Sequence, residues 1–200
     1  FMDHMVIAVG RRYGSGGHEI GERLAKRLEI PFYDRELVEM ASKKSGIAQG
    51  VLEIHNERAV QATLLKTKSG AGGQLIGELL FQLQSQIIRE LAEESSCVII
   101  GRCANYVLRD RADLFSVFVT APEEKRVQRI MERNRMCEED ARYAVKKVDR
   151  QRREYYDHYT EGRWGEMEGY DLMVDSSILG IDGTAELLEE KARAFAACLV

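Results

Sequence analysis

Between the short apolar run Met5-Val6-Ile7-Ala8-Val9 and a helical pattern beginning near Ile20 lies the segment Gly10-Arg11-Arg12-Tyr13-Gly14-Ser15-Gly16-Gly17-His18-Glu19-Ile20-Gly21. Glycines allow the backbone to turn its N–H groups inward, and a helix N-terminus adds further donors and partial positive charge. Gly14, Ser15, Gly16, Gly17 and His18 are therefore suited to cradle a polyphosphate. A full Walker A motif reads G-x-x-x-x-G-K-[ST]. Gly16 matches its second glycine, whereas Arg11 stands for the first glycine, Gly17 for the lysine and His18 for the Ser/Thr that helps hold Mg²⁺. The competing reading is a plain glycine-rich turn. Position favours the cradle, because the loop between a first buried strand and an amphipathic helix is where doubly wound folds bind phosphates. The missing cation is expected from Arg11, Arg12 or a protonated His18, with Arg12 ranked first as the arginine nearer the glycines.

A second group with chemical potential is basic. Between residues 126 and 153, ten Lys and Arg face five Asp and Glu, a local excess of five positive charges in a chain of net charge −4. Arg126, Arg129 and Arg133 recur at i, i+3, i+7, and Asp149 with Arg152 or Arg153 at i, i+3, i+4, so each set shares a helical face. A solvated face laced with ion pairs is the ordinary reading of such a pattern. The sharper reading is a lid whose arginines, Arg133 among them, close on the charge that spreads over a phosphoryl group in flight. A third candidate is Arg102, which with Gly101 follows the apolar run Cys97-Val98-Ile99-Ile100. The C-terminal ends of parallel strands form the ligand crevice, so an arginine there suits a substrate phosphate; a surface ion pair is the alternative.

These residues need a scaffold, and the chain predicts one. Short β-branched runs at residues 5–9, 97–100, 114–119 and 171–175 read as strands buried on both faces. Ile20, Leu24 and Leu28 mark a first helix. Ile30-Pro31-Phe32-Tyr33 reads as a short extended segment, Asp34 as the cap of a following helix and Gly46 as its end. Gly70-Ala71-Gly72-Gly73 reads as a mobile break before a long helix through Leu75, Leu79, Leu83, Ile87 and Leu91, whose apolar residues serve either the core or a homodimer face. Strands alternating with helices imply an α/β fold with a mainly parallel sheet covered on both sides.

Composition bounds the function. With 200 residues, 44% hydrophobic and 31% charged, the chain supports one large core. The net negative charge argues against general nucleic-acid binding. Without an apolar run of spanning length or a signal-like start, no membrane association and a cytoplasmic location are expected. Residues 1–4 read as extra residues ahead of a start at Met5. Cys97, Cys103, Cys137 and Cys198 form no CxxC pair and read as thiols, and no metal-ligand cluster is expected.

The ordered series Tyr13-Gly14-Ser15-Gly16-Gly17, Ile30-Pro31-Phe32-Tyr33-Asp34, Cys97-Val98-Ile99-Ile100-Gly101-Arg102-Cys103-Ala104, Asp149-Arg150-Gln151-Arg152 with Tyr155-Tyr156, and Tyr170-Asp171-Leu172 through Asp175-Ser176-Ser177 resembles the cytidylate kinase-like family over nearly the whole chain. The resemblance implies a single domain over residues 5–200, of P-loop kinase type. It would have three layers with a five-stranded sheet, a nucleoside-monophosphate-binding region within residues 46–96 and a lid at residues 133–142. It implies ATP as donor with Mg²⁺ bridging its phosphates, and a nucleoside monophosphate, CMP or dCMP, as acceptor. Arg102, Asp149 and Arg152 would hold that acceptor. Cys103 stands where true cytidylate kinases carry the aspartate of Gly-Arg-Asp, and Gly17 where they carry the lysine. A kinase of another small molecule, and a non-catalytic nucleotide-binding module, stay open beside this reading.

Overall fold

The computed structural model describes residues 4–55 and 72–199, with the side chains of residues 54, 55 and 72–75 left aside. Five strands occur in it: β1 (Val6–Arg11), β2 (Phe32–Tyr33), β3 (Cys97–Ile100), β4 (Leu114–Thr120) and β5 (Leu172–Asp175). Their order across the sheet is β2-β3-β1-β4-β5, and every pairing is parallel. The described helices are α1 (Gly17–Leu28), α2 (Glu36–Ser45), α3 (Gln49–His55), α4 (Gly72–Glu94), α5 (Ala104–Val107), α6 (Glu123–Asn134), α7 (Glu138–Tyr159) and α8 (Ser176–Ala197).

Alternation along β1 explains the three layers. Ile7 and Val9 point to one side, where Ile20 and Leu24 of α1 and Leu188 of α8 meet them; Val6 and Ala8 point to the other, against Leu37 of α2 and Leu80 and Ile88 of α4. Both faces are covered, so the strand is apolar at consecutive positions. Each of the Val, Leu and Ile side chains among them contributes about 1.5–3 kcal/mol by leaving water.

Helix ends follow local chemistry. Gly46 closes α2 in the left-handed region, its N–H bonded to the Ser42 carbonyl. Asp175 caps α8 by accepting from the Ser177 N–H at 2.8 Å. Asp34 does not cap α2 as expected: Arg35 is the N-cap residue, without a side-chain cap bond, and the Asp34 carboxylate is engaged elsewhere. Gly72 and Gly73 belong to α4 rather than to a break before it, while Gly70 and Ala71 lie outside the described residues. The apolar stripe of α4 is mostly core, with Leu80, Ile87, Ile88 and Leu91 buried and Leu79 exposed.

Helices α6 and α7 pack together through Val127, Ile130, Ala141 and Val145, and the turn between them falls within residues 133–142. The basic cluster divides there. Arg142 serves the solvated face, paired with Glu123, Glu124 and Glu138, an arrangement worth little on a surface. Arg126 points inward and is buried. Among the described residues no helix is long and apolar enough to cross a membrane, and none of the four cysteines is in a disulfide.

Candidate functional site

The glycine loop leaves β1 and enters α1 through two residues in the left-handed region, Gly14 and Gly16, each with φ of 80°. Close approach adds to that requirement. A Cβ on Gly14 would lie 2.7 Å from the Arg126 carbonyl oxygen, and one on Gly16 would run into Arg129 Nη1 and Ile181 Cδ1. Gly16 is the N-cap of α1 and offers no side-chain cap; the first intrahelical bond runs from the Ile20 N–H to the Gly16 carbonyl. The N–H groups of Gly17, His18 and Glu19 therefore have no acceptor within the helix, the arrangement that receives an anion. Ser15 is buried and turns inward, its hydroxyl donating to the Arg12 carbonyl at 2.7 Å. From the other side, the Ser176 hydroxyl at the start of α8 donates to the Ser15 carbonyl at 2.5 Å.

A buried ion pair fixes the loop against α6 and α7. Asp149 of α7 accepts from the Tyr13 N–H at 2.8 Å and from Arg126 Nη1 at 2.8 Å, and the same Arg126 donates to the Tyr13 and Ala121 carbonyls. Arg12 Nη1 lies 3.6 Å from Asp149, and its guanidinium sits over the Trp164 ring. Arg12 thus reaches α7 while also lining the cleft beside the glycines. Arg133, exposed at the end of α6, donates to the Tyr13 hydroxyl at 3.0 Å.

At the end of β3 the chain makes a left-handed turn in which Gly101, Arg102 and Cys103 all have positive φ. Two of the three are not glycine, and strain of this kind persists where surrounding packing holds it. The turn buries Arg102 and brings its Nη2 to 3.9 Å from Asp34 Oδ1. Asp34 Oδ2 meets His18 Nδ1 at 2.8 Å. Arg152 of α7 donates to the Arg11 carbonyl at 3.0 Å. Arg11, Arg102, Arg152, Asp34, His18 and Arg133 line one cleft of about 770 Å³ beside the glycine loop; it reaches Val38 of α2 and Glu53 of α3. A recess of about 30 Å³, room for a water, shares Arg11, Arg102 and Arg152 and is walled by Tyr156, Trp164 and Tyr170.

Asp34 is the site residue that sequence reasoning missed, since an Asp before a helical pattern reads first as a cap. Its hydrogen bond raises the pKa of His18 above 6.5, against the opposing effect of burial. Burial works to raise the Asp34 pKa, but the His18 hydrogen bond and the charges of Arg11 and Arg102 prevail and hold it below 3.8. The signs define a window. The His18 contribution to stability is full below pH 6.5 and lost as pH rises through its folded value; that of Asp34 is present above pH 3.8 and lost as pH falls through its folded value. An NMR titration is expected to place His18 above 6.5, and Asp34→Asn to lower its midpoint. An unmoved midpoint would show that the pair does not form in solution.

The loop fits a nucleotide polyphosphate, given its uncapped helix N-terminus and close glycine approaches. Among the described residues no group of three or more His, Cys, Asp or Glu could hold a metal ion. A Mg²⁺ here would be carried mainly by nucleotide phosphates and water.

Comparison with known proteins agrees with this architecture. The chain is similar to an uncharacterized protein from Eubacterium ventriosum ATCC 27560, at 27% identity and a TM-score of 0.72, covering 94% of this chain and 98% of that one. It shares its fold with shikimate kinase from Bacteroides thetaiotaomicron (15% identity, TM-score 0.55, 94% and 97% covered). The same holds for deoxyadenosine kinase from M. mycoides (13% identity, TM-score 0.50, 94% and 98% covered). No match was found among curated proteins. The family model described as the cytidylate kinase-like family matches residues 6–178, and with a five-stranded parallel sheet presenting a glycine loop to an arginine-lined cleft, the chain belongs to that family.

Proposed function

We propose that the protein is an ATP-dependent phosphotransferase whose acceptor is a nucleoside monophosphate, CMP or dCMP. The observation that carries this reading is the convergence of Arg11, Arg102 and Arg152 on the cleft beside the glycine loop, at the C-terminal ends of β1 and β3. In this reading the loop N–H groups hold the ATP phosphates, and Arg102 and Arg152 hold the acceptor phosphate at the strand end. Arg133 closes from the lid. Such transfer needs no covalent intermediate; it is positioning and electrostatic stabilisation. The nucleoside of the acceptor lies toward Val38 and Glu53, because the recess behind the arginines has room for a water alone.

The His18–Asp34 pair favours a second reading. A phosphate acceptor is already a nucleophilic anion, whereas a hydroxyl acceptor benefits from a base, and an imidazole held by a carboxylate on Nδ1 presents Nε2 for that purpose. An ADP-release assay with CMP, dCMP, other monophosphates and small hydroxy acids separates the two. Turnover confined to monophosphates supports the first, turnover confined to hydroxy acids the second, and ATP binding without turnover a non-catalytic module.

Arg102→Ala is expected to weaken the monophosphate by about 1.5–3 kcal/mol, the value of a charge-assisted phosphate contact, and ATP by much less. Calorimetric titration of each nucleotide checks this, and equal losses would place Arg102 on the wrong side of the cleft.

A further inference from the structure

We propose that Arg11 supplies the cation that a lysine at position 17 supplies in a full Walker A motif, so that glycine and cation have exchanged places. The proposal rests on the ATP-dependent reading above and gives it a residue. In the full motif the first position is glycine and the penultimate one lysine; here those positions hold Arg11 and Gly17.

The geometry of Gly17 points to the exchange. Unlike Gly14 and Gly16, Gly17 does not have positive φ, so its backbone conformation does not call for glycine. What calls for it is contact. A Cβ at position 17 would lie 2.5 Å from Arg11 Cβ and 3.1 Å from Arg11 Cγ, with Val119 Cβ at 3.3 Å. The space in which a side chain at 17 would begin is filled by the stem of Arg11. That stem is fixed, because Arg11 is the last residue of β1, paired in register with Val119 of β4, and is buried.

The other end of Arg11 carries the charge to the cleft. Arg11 lines it together with Gly14, Gly16, Gly17 and His18, and its charge acts on both His18 and Asp34. It therefore stands between the phosphate cradle and the acceptor side, where negative charge accumulates during transfer. Arg12, Arg102, Arg133 and Arg152 line the same cleft, with Arg12 also reaching Asp149 and Trp164, Arg133 the Tyr13 hydroxyl and Arg152 the Arg11 carbonyl, but it is Arg11 whose stem fills the space at Gly17. Arg129 lies over Gly16 from α6.

The test uses Arg11→Ala, Arg11→Lys, Gly17→Lys and the double variant Arg11→Gly with Gly17→Lys. Each is titrated calorimetrically with ATP, ADP and AMP and assayed for ADP release with the acceptor panel. Arg11→Ala is expected to weaken ATP and ADP roughly 10- to 100-fold while AMP changes little, since the lost contact is to the outer phosphates. Gly17→Lys alone should be worse than the double variant, because in it the lysine and the arginine compete for one space. The double variant, or Arg11→Lys should the double variant fail to fold, should regain most of the lost affinity. An unchanged ATP affinity in Arg11→Ala, or equal losses for ATP, ADP and AMP, would overturn the proposal. Turnover in the unmutated protein that survives in Arg11→Ala would sink the exchange and leave the phosphotransferase reading standing. Phosphate-dependent loss of ATP binding in a protein that turns over no acceptor would do the reverse.

Discussion

Asp149→Ala is expected to lower the melting temperature by roughly 6–20 °C. Removing one partner of a buried ion pair costs about 3–5 kcal/mol, because the other charge stays buried and uncompensated, and each kcal/mol moves Tm by about 2–4 °C in a chain of this size. Asp149 and Arg126 are both buried and meet at 2.8 Å. The aspartate also accepts the Tyr13 N–H, so its loss removes that tie of α7 to the glycine loop, while Arg126 of α6 still reaches the Tyr13 carbonyl. Replacing the pair as a whole, Asp149→Leu with Arg126→Met, should recover part of the stability, since neither partner is left as an orphaned charge while the Tyr13 N–H and the Tyr13 and Ala121 carbonyls lose their partners. Thermal unfolding followed by circular dichroism reads both variants. The resemblance assigns Asp149 to the acceptor instead. An unchanged Tm with a large loss of monophosphate affinity would bear that assignment out against the ion-pair account.

Asp149 illustrates what could be read along the chain and what could not. Spacing alone places Asp149 and Arg152 on neighbouring positions of one helix, and both do lie in α7. Which partner each one meets depends on how α7 packs on the loop: Asp149 is taken by Arg126 and Tyr13, and Arg152 reaches the Arg11 carbonyl. The partner of Asp34 was hidden for the same reason. His18 lies 16 residues away, and the two meet because β2 and the start of α1 both flank the strand ends at which the cleft forms. Local features were legible. The apolar runs marked β1, β3 and β4 because residues buried on both faces must be largely apolar, whereas β5, expected to be buried as well, is half-buried throughout because it lies at the sheet edge; Gly46 marked a helix end because a left-handed cap favours glycine. Arg102 was placed at a strand end by the same logic, but its positive φ and its approach to Asp34 come from the turn at residues 101–103, which no propensity announces.

Gly16→Ala is expected to leave the fold in place and to weaken ATP by more than about 100-fold. Two effects combine. At φ of 80° an alanine carries a left-handed strain of about 1–2 kcal/mol. Its methyl group would also displace Arg129 Nη1 and Ile181 Cδ1, which both lie on this glycine. Arg129 Nη1 is buried at this contact. Both contacts are the tips of flexible side chains that can give way, so the larger effect is a methyl group standing beside the N–H groups of Gly17 and His18, where the phosphates would sit. Losing two or more charge-assisted hydrogen bonds, each worth about 1.5–3 kcal/mol, accounts for the drop. Gly46→Ala is the matched control: its φ of 72° imposes the same kind of strain, but nothing lies within 4 Å of the added carbon. Both variants should lose a few degrees of Tm, and only Gly16→Ala should lose ATP affinity in a calorimetric titration. Parallel losses of affinity would mean that backbone strain, rather than the methyl group beside the loop N–H groups, governs the cradle. Unchanged affinity in Gly16→Ala would mean that the phosphates bind elsewhere in the cleft.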